Sequence, residues 1–228
     1  MTLHLLRLRV DPPKLMRFAA EQGLLRQDDE GFGYTLHAWL TALFGKDAPK
    51  PFRYFEGRRE LLAYSTMDAE RLGEHAQTFA LPQAWATLDA ESLISKPMPN
   101  FAEGRRLGIE VLACPVSRKE NQEKDLYLRA LDRLGDAAPS RQEVYLDWFR
   151  RQWEGAVAFE HLALTGFRRV RLTRRGGERR LASLERPQAL FQGNIVIRDA
   201  AAFERLLVRG IGRHRAFGFG MALLTRPQ

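Results

Sequence analysis

The sequence predicts an α+β protein made of two tandem ferredoxin-like domains, each with the element order β-α-β-β-α-β. Apolar and polar residues alternate as in a strand near the start of each half, at 6–10 and again at 107–113. Similar helix and strand patterns then follow each of these strands in the same order. Between the halves lies segment 96–100, where two prolines within three residues disfavour both helix and strand pairing. We therefore predict a first domain at 1–98 and a second at 101–228.

Local signals place the elements of the first domain. Asp11 and Pro12 are typical of a helix N-cap and a first-turn proline, directly after the first strand. Segment 57–59 predicts a turn between two paired strands. In chain order the predicted elements are a strand at 6–10, a helix from residue 12, a helix at about 34–44, strands at 52–56 and 61–65, a helix at about 68–79, and a last strand within 85–97.

The second domain carries equally clear helix signals. Ser140 and Glu143 form a capping box that opens one helix. Asp199 caps another helix, and Gly210 ends it. The predicted strands are 107–113, the arms 161–174 and 178–184 of a hairpin that turns at Gly176 and Gly177, a separate strand at 191–198, and a final one at 221–225.

The charge of the chain is concentrated in its second half. Residues 1–100 hold 12 Lys and Arg against 13 Asp and Glu, a net charge of −1, whereas residues 101–228 hold 24 against 15, a net charge of +9. Of the 36 basic residues 30 are arginine, whose planar donor fork matches phosphate and favours a polyanionic partner. The single cysteine, Cys114, excludes an internal disulfide, and no apolar run approaches the roughly 20 residues of a membrane helix. We expect a cytoplasmic protein without a membrane partner.

Segment 210–220 is the most distinctive motif, because two Gly-apolar-Gly triplets flank a basic stretch between a helix and a strand. Glycine permits positive φ and close approach, so successive backbone N–H groups of such a loop can surround phosphate oxygens. The alternative is that the glycines serve turn geometry alone. The candidate binding residues of this glycine-rich loop are Gly210, Gly212, Arg213, His214, Arg215, Gly218 and Gly220.

This loop, placed before the last strand of a second ferredoxin-like unit, resembles the signature of the RAMP superfamily of CRISPR proteins. More narrowly, the chain resembles the CRISPR repeat-processing endoribonucleases that are subunits of type I-E Cascade complexes. The matching segments are Leu36 with His37, 106–115 and 191–224. The resemblance implies that the protein binds the stem-loop of repeat RNA, cleaves at the base of the stem, and stays with other Cascade-type effector subunits.

The helix at 34–44 carries the residues to which this resemblance assigns catalysis. On a helical wheel Leu36, Leu40 and Leu43 share the predicted core face, whereas Tyr34 and His37 lie on another side. The family places its catalytic histidine here with a tyrosine three residues earlier, which implies His37 and Tyr34. A surface histidine without a role is the alternative.

The implied chemistry uses no cofactor and no metal. An RNA 2′-hydroxyl attacks the adjacent phosphorus and the 5′-oxygen leaves, which yields a cyclic phosphate and a 5′-hydroxyl. An imidazole can act as base toward the 2′-OH or as acid toward the leaving oxygen, and the sequence leaves both open. Some relatives add a lysine that stabilises the charge; the helix of His37 has none, and Lys46 beyond its end is the nearest in sequence.

A second basic element lies in the predicted hairpin of the second domain, where seven arginines accompany one acid within 168–180. On a hairpin they can contact the phosphates of an RNA stem and guanine edges near its end. The alternative is a solvated charged turn. The candidate residues are Arg168, Arg169, Arg171, Arg174, Arg175, Arg179 and Arg180.

Two other functions fit parts of the sequence. A non-catalytic RNA-binding subunit of the same superfamily would keep the glycine-rich loop and the arginine hairpin while His37 did nothing. A double-stranded DNA-binding protein would fit the charge, but the sequence lacks a helix-turn-helix pattern with a basic recognition helix. His214, the histidine inside the loop, is expected to touch RNA and not to transfer the proton.

Overall fold

The computed structural model describes residues 2–25, 32–120, 122–175 and 181–227. The predicted turn at Gly176 and Gly177 lies outside these residues, as do Arg179 and Arg180. The chain divides into two compact units, one formed by Met1–Pro99, Arg171–Glu185 and Arg215–Gly218, the other by Asn100–Val170, Arg186–His214 and Phe219–Gln228.

The first unit contains a four-stranded antiparallel sheet in the order β2-β3-β1-β4. Its main elements follow the predicted β-α-β-β-α-β order, with the helices α2 and α4 inserted. The elements are β1 (His4–Arg9), α1 (Pro12–Glu21), α2 (Gly33–Phe44), β2 (Phe52–Phe55), β3 (Glu60–Ser65), α3 (Ala69–Phe79), α4 (Pro82–Thr87) and β4 (Ile94–Pro97).

Local sequence explains most of these boundaries. The Asp11 side chain accepts a hydrogen bond from the backbone N–H of Lys14 at 3.2 Å, which caps α1 as predicted. Segment 96–97, by contrast, was expected to avoid strand pairing, yet Lys96 pairs with Leu5 and Pro97 with His4. Because β4 is the edge strand of its sheet, a proline at its end removes no hydrogen bond to a further strand.

The second unit contains a four-stranded sheet with the corresponding order β10-β5-β9-β8 and a separate two-stranded sheet of β6 and β7. The fold class predicted from the sequence, two ferredoxin-like arrangements in tandem, is thereby confirmed. The elements are β5 (Arg106–Ala113), β6 (Val116–Lys119), β7 (Gln122–Asp125), α5 (Leu126–Leu134), α6 (Arg141–Gln152), β8 (Val157–Arg175), β9 (Leu181–Ile197), α7 (Ala200–Arg209) and β10 (Ala222–Thr225).

Two parts of this unit differ from the sequence prediction. The strands predicted at 178–184 and 191–198 are joined in the single strand β9. The polar stretch 185–188 interrupts the apolar alternation there, yet β9 continues through it beside β8. This stretch lies beyond the end of β5, whose pairing with β9 begins at Ala189. The β6–β7 hairpin and α5 were not predicted, whereas the capping box of α6 and the Asp199 cap of α7 are confirmed.

Each sheet packs its apolar face against helices of its own unit. In the first unit Trp39 and Phe44 of α2 are fully buried with Leu8 of β1. In the second unit the ring of Phe149 stacks on Phe191, with 4.2 Å between their centroids. Over the described residues no helix is both long and apolar enough to cross a bilayer.

Candidate functional site

Helix α2 presents Tyr34 and His37 on a partly exposed face. Leu36, Leu40 and Leu43 are each 1% exposed, as the helical wheel predicts, and they fix which side of the helix faces the core. Tyr34 and His37 are half-buried, so both rings are accessible while their orientation is restricted by neighbours. The arrangement leaves the imidazole able to exchange a proton with a bound ligand.

Phe217 of the glycine-rich loop lies against both side chains. Its ring centroid is 6.0 Å from that of Tyr34 and 6.0 Å from that of His37. Its backbone also approaches the start of α2 so closely that a Cβ atom at Gly33 would lie 2.6 Å from the Phe217 carbonyl oxygen. Sequence reasoning missed Phe217, although its place in front of the second glycine triplet was the available signal.

The charge state of His37 is set by its surroundings. Burial lowers the pKa of the imidazole below its ordinary value of 6.5, and the positive charge of Lys50 lowers it further. His37 is therefore mainly neutral at pH 7. The lysine that acts on His37 is Lys50, in the segment between α2 and β2, and not Lys46, the nearest one along the sequence. Only the path of the chain after α2 reveals this neighbour.

We expect the substitution Lys50→Gln to raise the pKa of His37 without bringing it to 6.5. The reason is that the charge of Lys50 is removed while burial, the larger cause, remains. An NMR titration of the His37 ring protons measures this pKa directly. The matched control is Lys46→Gln, which should leave the titration unchanged; a pKa of His37 that is the same in both variants would contradict the assignment to Lys50.

The four glycines of the loop all adopt positive φ, at 75° for Gly210 and Gly212, 87° for Gly218 and 79° for Gly220. The N–H of Ile211 donates to the carbonyl of Gly220 at 2.8 Å, and a Cβ at Gly220 would collide with the backbone of Ile211. Turn geometry alone thus requires these glycines. Their role in holding phosphate stays a prediction.

The basic residues between the triplets differ in accessibility. The side chain of Arg213 is 46% exposed, whereas that of His214 is only 9% exposed, and both contact the carboxylate of Glu123. Arg215 opens the short 3₁₀ turn Arg215–Phe217. Sequence reasoning missed Glu123, because it lies in the unpredicted β6–β7 hairpin.

Three arginines of the predicted hairpin are exposed on β8. These are Arg168, Arg169 and Arg171, and they surround the buried Val170. Arg174 and Arg175 are among the last residues of β8. The part of this basic element that the structure describes is therefore an extended strand with three exposed arginines, of which Arg169 and Arg171 share one face.

Neither the cysteine nor the possible metal ligands of the described residues provide a second candidate site. Burial strongly raises the pKa of the Cys114 thiol, which fits a packing role for this residue. Among the described residues no three His, Cys, Asp or Glu side chains gather as a metal ion would need.

Comparison with known proteins gives one family and a set of similar folds. A family model described as CRISPR associated protein matches residues 3–226. A structure of the CRISPR endoribonuclease Cse3 bound to a 19-nucleotide RNA has a TM-score of 0.65 at 18% identity and covers 99% of this chain and 100% of that chain. Cse3 of Thermus thermophilus, bound to an RNA representing a pre-cleavage complex, has a TM-score of 0.64 at 17% identity, with coverage of 99% and 100%.

A chain of a CRISPR RNA-guided surveillance complex is also similar, with a TM-score of 0.56, 18% identity and coverage of 98% and 99%. A search of curated protein sequences finds no match. At these identities the solved structures establish a shared fold over almost the whole chain.

Proposed function

This chain belongs to the family of CRISPR associated proteins, and on that premise we propose that it is a metal-independent endoribonuclease that cleaves CRISPR repeat RNA at the base of its stem-loop. The observation that carries the proposal is the half-buried His37, held beside Tyr34 and Phe217 with its pKa lowered. Similar folds belong to CRISPR endoribonucleases bound to RNA, which supports the same activity here.

The reaction needs one proton removed and one supplied. The 2′-oxygen of the scissile nucleotide attacks the adjacent phosphorus, loses its proton and forms a 2′,3′-cyclic phosphate, while the bond from phosphorus to the 5′-oxygen breaks and this oxygen takes up a proton from solvent water. A lowered pKa keeps His37 unprotonated at pH 7, which favours its role as the base that accepts the 2′-OH proton. Tyr34 donates a hydrogen bond to the phosphate, and the charge of Lys50 stabilises the negative charge that grows on it.

RNA binding extends beyond this site. We propose that the arginines of β8 bind the RNA stem and that the glycine-rich loop contacts the RNA near the scissile phosphate. Residues Arg215–Gly218 of this loop belong to the first unit. A chain of similar fold comes from a CRISPR RNA-guided surveillance complex. We propose that this protein likewise keeps its cleaved RNA and joins other subunits of such a complex.

The proposal is tested with a cognate repeat hairpin that carries a 2′-deoxy nucleotide at the scissile position. Cleavage should stop, since the nucleophile is absent, while binding of the hairpin should stay close to that of the all-ribose RNA. Cleavage of the all-ribose RNA should continue in EDTA. Cutting of the deoxy substrate would refute the attack by the 2′-OH, and strong inhibition by EDTA would refute metal independence.

A further inference from the structure

A nearly buried carboxylate lies under the glycine-rich loop in the second unit. The side chain of Glu123, on β7, is 10% exposed. Its Oε1 accepts a hydrogen bond from Nε of Arg213 at 2.5 Å, and its Oε2 lies 2.7 Å from Nε2 of His214 and 3.1 Å from Nε of Arg186. One carboxylate therefore binds two consecutive residues of the loop and one residue of β9.

This carboxylate stays ionised. Burial by itself would raise the pKa of Glu123. The charge that His214 carries when it is protonated, the hydrogen bonds from Arg213 and His214, and the charge of Arg186 together outweigh burial and lower it. Burial also lowers the pKa of His214 against the attraction of Glu123. A neutral imidazole with its proton on Nε2 then donates to the carboxylate, so the contact does not require a charged histidine.

The contact fixes a backbone conformation that His214 would otherwise rarely adopt. Its φ is +59°, in the left-handed region, which costs free energy in a residue with a Cβ atom. The preceding residue, Arg213, donates its Nε–H to Glu123. Its guanidinium has four further N–H donors with which it can bind a ligand. The side chain is 46% exposed, so it is anchored at one edge and accessible to a ligand.

From this geometry we propose that Glu123 is a positioning residue, which holds Arg213 and His214 so that the loop is already arranged to bind RNA phosphate. The inference rests on the proposed function and deepens it. His214 then acts as a buried anchor of the loop, and Arg213 is the residue that reaches the RNA.

Whether Glu123→Gln strengthens or weakens RNA binding distinguishes a positioning role from a purely electrostatic one. A carboxylate near a polyanion opposes binding, so a purely electrostatic Glu123 would make Glu123→Gln bind RNA more tightly. If Glu123 positions the loop, the amide cannot hold Arg213 and His214 in the same way. RNA binding then weakens although a negative charge has been removed.

The experiment measures binding of the repeat hairpin to the full-length protein over a range of salt concentrations. We expect Glu123→Gln to weaken binding by about tenfold, the cost of about one charge-assisted contact. The slope of log affinity against log salt concentration should also become shallower, by the amount that about one phosphate contact contributes. The matched control is Glu120→Gln, which removes the same charge from an 84% exposed side chain of the same hairpin. It should bind as the wild type does or slightly more tightly.

Further variants keep the result interpretable. Glu123→Asp retains the charge but is one methylene shorter, so it should also weaken binding, and it replaces the glutamine variant if circular dichroism shows that the latter is unfolded. Arg213→Ala should weaken binding, and adding Glu123→Gln to it should cost little more. If Arg213→Ala weakens binding while neither Glu123 variant does, the positioning role is wrong. If Arg213→Ala and the Glu123 variants all bind as the wild type does, the assignment of RNA binding to this loop fails instead.

Discussion

Replacing His37 with alanine is expected to lower the rate of repeat-RNA cleavage by about 10²–10⁴-fold, the usual contribution of a general acid or base. Affinity for the hairpin should stay close to that of the wild type, because the basic residues assigned to binding lie on other elements. The measurement is a single-turnover cleavage rate at saturating protein, with affinity determined separately on the 2′-deoxy hairpin.

The control variant is His161→Ala, which removes an imidazole from an exposed position on β8 and should cleave at the wild-type rate. The pH dependence gives a second readout. If His37 is the base, the rate should rise with pH through a pKa below 6.5 and level off above that pKa, since burial and Lys50 lower it. Cleavage by His37→Ala at the wild-type rate would contradict the catalytic assignment of His37. Binding of the hairpin without any cleavage by the wild-type protein would instead favour the non-catalytic RNA-binding subunit considered from the sequence.

Removing the three exposed arginines of β8 together is expected to have the second largest effect. In Arg168→Ala/Arg169→Ala/Arg171→Ala the affinity for the hairpin should fall by about a hundredfold, taking roughly 1 kcal/mol for each phosphate contact. The slope of log affinity against log salt should become shallower by about two to three units, since each phosphate contact contributes about 0.7–0.9. Cleavage at saturating protein should be reduced far less than affinity, because Tyr34 and His37 are intact.

Overall charge is controlled by a second triple variant, Arg133→Ala/Arg150→Ala/Arg151→Ala. It removes the same three charges from exposed positions of α5 and α6 and should change affinity and salt slope much less. Equal losses in the two triple variants would mean that β8 provides only general positive charge and no specific grip on the stem.

The sequence was sufficient for features that are encoded locally. Asp11, the capping box at Ser140 and the Asp199 cap each act within four residues of the chain, and all three were predicted correctly. The amphipathic pattern of α2 likewise predicted that Leu36 is buried. Elements without such signals were missed: the β6–β7 hairpin is short and polar, and β9 continues through a stretch whose composition suggests a break.

The residues of the candidate site likewise fall into those that local sequence predicts and those that it does not. Tyr34 and His37 are one helical turn apart, so their common face follows from helix geometry and could be predicted. Phe217, Lys50 and Glu123 reach their neighbours only through the tertiary fold. Phe217 makes a ring contact with residues far away in sequence, Lys50 lies in the segment after α2, and Glu123 forms an ion pair between a hairpin and a loop. Such partners have no fixed spacing in sequence. Phe217 carries a sequence signal, its place in front of the second glycine triplet, whereas no local pattern indicates Lys50 or Glu123.

The contact between Phe217 and His37 has a consequence for how the protein is made. The two residues lie 180 positions apart, and at about 5–20 residues per second a ribosome needs roughly 10–40 seconds to pass from one to the other. Helix α2 emerges early, and throughout that interval its histidine lacks the Phe217 ring that packs beside it. The proposed catalytic residue is therefore complete in its surroundings only when nearly all of this sequence has been synthesised.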